Sequence, residues 1–117
     1  MTEQIREILK PIISDENVLM VSLYRIDGTP VFVDSKRVEG VLDVIYWLER
    51  QIKTLIDYIS MGFFNEAEFR FKNYYILLYP ISKTLVLGIL SSDEASAYKL
   101  RIDAASIKEQ FKVVYEI

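Results

Sequence analysis

Val41-Leu-Asp-Val-Ile-Tyr-Trp-Leu-Glu-Arg50-Gln-Ile-Lys-Thr-Leu-Ile-Asp-Tyr-Ile-Ser60 is the stretch whose reading decides the fold. Val41, Ile45, Leu48, Ile52, Leu55 and Ile59 recur at spacings of 4, 3, 4, 3 and 4, the a/d stripe of a helix of roughly twenty residues. Leu42, Tyr46, Trp47 and Ile56 flank that stripe, so the apolar face is wider than one sheet contact requires. Two readings stay open: the helix caps a twisted sheet, or one of its edges meets a second protein chain.

Upstream, Ile5, Ile8, Leu9, Ile12 and Ile13 form a one-sided stripe with Thr2 as its cap, and Pro11 predicts a kink or early stop there. Ser14-Asp15-Glu16-Asn17 supplies turn formers. Val18 to Tyr24 is a nearly continuous apolar run of the kind found in strands covered on both faces. Asp27-Gly28 favours positive φ and predicts a hairpin into a strand from Pro30 to Asp34, with the proline at the first residue, where a missing donor does little harm.

Downstream, Met61-Gly62 closes the long helix. Ala67, Phe69 and Phe71 then alternate with Glu68, Arg70 and Lys72, the pattern of an edge strand with one wet face. Tyr74 to Tyr79, closed by Pro80, and Thr84 to Leu90 follow with short turns, which predicts an antiparallel meander whose later strands are buried on both faces. Ser91-Ser92-Asp93-Glu94 has the form of a capping box, and Leu100, Ala104, Ile107, Phe111 and Val114 mark a final amphipathic helix. Strands buried on both sides need three layers. The expected fold is therefore α+β: an α-β-α sandwich around a five-stranded antiparallel sheet, in the order α-β-β-α-β-β-β-α. The long helix covers one face and the two terminal helices the other. With 117 residues and no linker or repeat, residues 1–117 read as a single domain.

The residue inventory excludes much chemistry. A net charge of −3 with interspersed signs lacks the basic face of a nucleic-acid binder or a polybasic membrane anchor. There is no Cys and no His, so the thiolate, the commonest general base and the commonest zinc ligand are all missing. Freedom from Cys suits the cytoplasm. The four glycines stand apart at 28, 40, 62 and 88, which leaves no phosphate-cradling or dinucleotide loop. The acidic pairs Asp15/Glu16 and Asp93/Glu94 are explained by turns and caps. No catalytic, metal or cofactor site is expected. Arg37, in the Ser35-Lys36-Arg37 loop, is where an exposed arginine finger would be natural, although most exposed charges do little. Tyr74, Tyr75, Tyr79 and Trp47 suit core or interface better than a ligand pocket.

The order of elements, the Asp27-Gly28-Thr29-Pro30-Val31 hairpin, Tyr75-Ile-Leu-Leu-Tyr-Pro80 and Leu85-Val-Leu-Gly-Ile-Leu90 together resemble the roadblock/LC7 superfamily over almost the whole chain. Where many members have Gly before the aromatic residue of the fourth strand, this chain has Asn73, and its long helix is bulkier than the usual Ala-rich version. The resemblance implies a profilin-like architecture and a homodimer. It pairs the third strand and the long helix across a ten-stranded sheet, here through Val41, Ile45, Trp47, Leu48, Ile52 and Leu55 with Glu68, Phe69, Arg70, Phe71 and Lys72. Glu68 of one copy would then oppose Arg70 or Lys72 of the other. The resemblance also implies a scaffold or regulator of Ras-like GTPases without an active site of its own. Some members are dynein light chains, and archaeal and bacterial members are often encoded with such GTPases. The competing reading is a small-ligand sensor of the PAS, GAF or profilin-like kind.

Overall fold

A computed structural model describes residues 2–36, 40–60, 65–71, 74–92 and 97–115. Among them the elements run α1 (Thr2–Ile13), β1 (Val18–Arg25), β2 (Pro30–Ser35), α2 (Val41–Ser60), β3 (Ala67–Phe71), β4 (Tyr74–Pro80), β5 (Leu85–Ser91) and α3 (Ala97–Tyr115). This is the predicted order. The five strands form one antiparallel sheet in the spatial order β2-β1-β5-β4-β3, so β2 and β3 are its edges.

The three-layer prediction holds for a physical reason visible in the strand sequences. Alternate residues of the central strands enter two separate cores. On one face Val21, Leu23, Tyr75, Leu77, Leu87 and Ile89 meet Ile5, Leu9 and Ile12 of α1 and Leu100, Ala104, Ile107 and Phe111 of α3. On the other, Met20, Tyr24, Ile76, Leu78, Val86 and Leu90 meet Val44, Leu48 and Ile52 of α2. Each fully buried Leu or Ile contributes about 1.5–3 kcal/mol, so a strand that supplies both faces is held firmly.

Local features follow the turn chemistry. Gly28 takes φ +90°, the Arg25 amide donates to the Thr29 carbonyl (2.9 Å), and Asp27 Oδ1 accepts from the Thr29 amide (2.8 Å). A register shift between Leu23 and Tyr24 marks a bulge beside this hairpin. Gly88 of β5 lies opposite Ser22 of β1 and Leu78 of β4, and Ser22 Oγ donates to the Gly88 carbonyl at 3.1 Å. A Cβ at Gly88 would stand 2.7 Å from that hydroxyl oxygen and 3.9 Å from Leu48 Cδ1 of α2. Here glycine is what lets the buried serine fit between strand and helix.

Two expectations need correction. α1 already includes Thr2, which is therefore a helical residue and not the cap. Of the two outcomes expected at Pro11, the early stop does not occur: the helix continues to Ile13, because Glu7, whose carbonyl loses a donor, is exposed to water while Ile12 gains full burial. Ser91, the expected cap, ends β5, aligned with Val18 and Tyr75, and its hydroxyl donates to the Asn17 carbonyl at 3.3 Å. Glu94 of the expected capping box, Asp93, Met61, Gly62, Asn73 and the Arg37 finger position lie outside the described residues.

Candidate functional site

The edge strand β3 and the flank of α2 above it form the surface of interest. β3 pairs on one side with β4, from Ala67 opposite Leu78 to Phe71 opposite Tyr74, and has no strand neighbour on its other side among the described residues. Its alternation is as read. Ala67 and Phe69 pack against the core beneath α2, while Glu68 and Arg70 turn to the opposite face.

Phe69 meets Trp47 of α2 edge to face, with ring centroids 4.9 Å apart and planes at 85°. Around this aromatic pair a cleft of about 460 Å³ opens between helix and strand, lined by Asp43, Val44, Trp47, Arg50, Phe69 and Arg70. Trp47 is half-buried and lines the cleft. Asp43 and Arg50 are exposed at its rim, and neither has an ion-pair partner in the chain among the described residues.

The predicted interface residues divide. Trp47, Phe69 and Arg70 come together at the cleft. Leu48 and Ile52 point at the sheet with 0% exposure, so in the protomer they serve the core and offer no surface. Leu55 is half-buried against the same core. Glu68 is held within its own chain by Arg101 of α3, whose Nε also lies 2.9 Å from Glu66 Oε2. Arg70 extends its guanidinium to 5.9 Å from the Tyr75 ring centroid. The side chains of Val41, Ile45 and Phe71, and all of Lys72, lie outside the described residues. Of the α2 flank residues, Leu42 and Tyr46 are 64% and 62% exposed. Asp43, Val44 and Arg50 were not among the expected interface residues, although opposite charges one heptad apart around the single tryptophan are a usable signal.

Among the tyrosines weighed for a pocket, Tyr75 is buried in the core of the α1/α3 face and Tyr79 packs against it, while Tyr74 packs against the other core. Only Trp47 of that set lines the cleft. The Asp15/Glu16 pair is a loop anchor: Asp15 accepts from the Asn17 amide (2.9 Å) and from Lys99 (3.1 Å), which also reaches Asp103 (3.1 Å). Burial pushes the Asp15 carboxyl up, but the Asn17 hydrogen bond and the Lys99 charge outweigh it and hold it below its ordinary value. Among the described residues no group of three or more His, Cys, Asp or Glu could hold a metal ion. No described helix is long and apolar enough to cross a membrane.

A five-stranded antiparallel sheet of this order between one long helix and two terminal ones, with an open third-strand edge beneath that helix, is the roadblock/LC7 fold. MglC from Myxococcus xanthus matches with a TM-score of 0.69 at 17% identity, covering 90% of this chain and 97% of that one. A roadblock/LC7 domain from Streptomyces avermitilis matches at 0.70 and 11% identity, covering 100% and 98%. A structure of MglB with tetrameric arrangement matches at 0.74 and 10% identity, covering 98% and 90%. The chain belongs to the AF0774-like protein family, whose model matches residues 1–105. No curated protein sequence matches it.

Proposed function

We propose that this chain is a non-catalytic interaction module, a single roadblock/LC7-like domain over residues 1–117. In this reading it self-associates through β3 and α2 and scaffolds or regulates a small Ras-like GTPase in the cytoplasm. The observation that carries the reading is the β3 edge itself. A strand with one open side stands beside an aromatic cleft, and an open edge left bare invites pairing with another chain. The tetrameric arrangement of the MglB structure supports self-association as a habit of the fold. The GTPase partner rests on the roadblock/LC7 resemblance.

Light scattering at micromolar concentration tests the first half: a dimer is expected, and a monomer rejects it. Affinity capture of a purified Ras-like GTPase, loaded with GDP or a non-hydrolysable GTP analogue, tests the second. Equal failure to bind in both nucleotide states rejects the GTPase partner. The ligand-sensor reading has one observation in its favour: the cleft falls within the roughly 300–1,000 Å³ of small-molecule pockets and has an acid and an arginine, Asp43 and Arg50, on its α2 wall. In a self-associated protein that volume is filled by the second copy.

A further inference from the structure

Asp43 and Arg50 stand seven residues apart on α2. That spacing is about 10.5 Å along the axis and nearly the same angular position, too far for an ion pair within the helix. Trp47 lies between them on the same flank, four residues after one and three before the other. The cleft sets this segment beside Phe69, the middle residue of β3 (Ala67–Phe71). A two-fold axis that pairs β3 with a second β3 about its midpoint therefore passes close to the middle of the Asp43–Arg50 segment.

From this juxtaposition we propose that α2 carries a self-complementary charge lock, in which Asp43 of each copy pairs with Arg50 of the other and the two Trp47 side chains fill the clefts between them. The inference rests on the self-association reading above and specifies its register. Antiparallel packing of two identical helices about a point between Tyr46 and Trp47 sets position 43 opposite position 50 twice over, because an isologous contact repeats every pair. The occupant of the cleft is a second copy of this chain, because the charge pattern complements itself: a patch with −1 at one end and +1 at the other fits its own image turned by 180°. Both side chains are exposed, and both lack in-chain ion pairs among the described residues, so neither is already committed.

Two single variants and their mixture test the lock. D43K places two cations at the ends of the patch and R50E places two anions, so each variant sets like charges opposite one another in its own dimer. Self-association of each is expected to weaken by about a hundredfold, read by light scattering, with far-UV circular dichroism confirming the fold. Mixed at equal concentration, the two restore both opposite-charge pairs, and native mass spectrometry is expected to show a one-to-one heterodimer. Single variants that remain as dimeric as the wild type overturn the lock and leave the dimer standing. Single variants that dissociate but do not recover on mixing also overturn it, since the charges then act within one copy. A monomeric wild type rejects the self-association reading itself, and the lock with it.

Discussion

Replacing Gly88 by alanine probes the tightest point of the sheet. The new methyl carbon lies 2.7 Å from Ser22 Oγ, well inside contact distance, and 3.5 Å from Leu78 Cδ2, which is ordinary contact. Ser22 is fully buried and its hydroxyl donates to the Gly88 carbonyl. One of two things must give. Either the hydroxyl rotates off its acceptor, leaving a buried donor unsatisfied at about 1–3 kcal/mol, or the strands part slightly at about 1–3 kcal/mol for overpacking. Both strands are held on two sides, so relaxation is limited and a loss of about 2–3 kcal/mol is expected, or about 10–15 °C in Tm for a domain of this size. Urea denaturation at fixed protein concentration measures it, since dimerisation would make the midpoint concentration-dependent. Ser22→Ala alone loses one hydrogen bond, about 0.5–1.5 kcal/mol. In the double variant the clash is gone, so it should be at least as stable as Gly88→Ala, a coupling of about 1–2 kcal/mol. The reasoning is refuted if Gly88→Ala falls within about 0.5 kcal/mol of wild type, or if the two single effects simply add.

The Tyr24 hydroxyl is buried without a hydrogen-bond partner among the described residues, and burial together with the Glu49 charge pushes it up to about 12. Tyr24→Phe should therefore leave stability unchanged or raise it by up to about 1 kcal/mol in urea denaturation, and a loss above that would reveal a missed partner. Asp15, held below its ordinary value, contributes stability that is present above the unfolded-state pKa of about 3.9 and is lost as pH falls through the lower folded-state value. Asp15→Asn should thus be less stable than wild type at pH 7, with the gap closing below about pH 4; a gap that persists at pH 2 contradicts the assignment. Trp47 is the single tryptophan and reports on the cleft alone. Its emission should shift to the red on dilution below the dimer dissociation constant, and an unchanged spectrum while light scattering records dissociation would place the interface elsewhere.

How much of this was legible differs between the two sides of α2. The stripe through Leu48 and Ile52 announced the helix and its buried face, because a period of 3.6 survives any neighbour that covers it. The strands announced themselves by continuous apolar runs, and burial of β1, β4 and β5 on both faces made three layers unavoidable. Periodicity carries no information about partners from distant elements. Glu68 was read as a residue for a second chain, yet Arg101 of α3 reaches it from 33 residues away in sequence. Ser91 at the end of β5 donates its hydroxyl to the Asn17 carbonyl, 74 residues distant, a contact that no local pattern announces. The Ser22–Gly88 contact likewise depends on register between strands that are not consecutive.

The surplus apolar width of α2, which left two readings open in the sequence, resolves into two flanks with different prospects. Lys53 lies over Gly28 of the hairpin, where its Cε would be 2.8 Å from an added Cβ, so that flank of the helix faces the β1–β2 side. Leu42 and Tyr46, exposed by more than half, stand on the helical positions leading toward it. Trp47, with Asp43 and Arg50, lies on the β3 side above an open strand edge. Both sides end in an edge strand, but the second flank joins its edge to an aromatic cleft and to the Asp43 and Arg50 charges. Burying Leu42 and Tyr46 against a partner would recover hydrophobic area without filling that cleft. Burying the Trp47 flank with β3 covers aromatic surface, satisfies edge backbone groups and sets the Asp43 and Arg50 charges against a partner at once. A self-associating chain should therefore close the β3 side first and leave Leu42 and Tyr46 exposed on the completed dimer. They then remain apolar surface for a different partner, which is where the GTPase reading finds room beside the dimer. Leu42→Glu with Tyr46→Glu should accordingly leave light scattering unchanged while weakening GTPase capture, and a monomeric double variant would show that the assignment of the flanks is reversed.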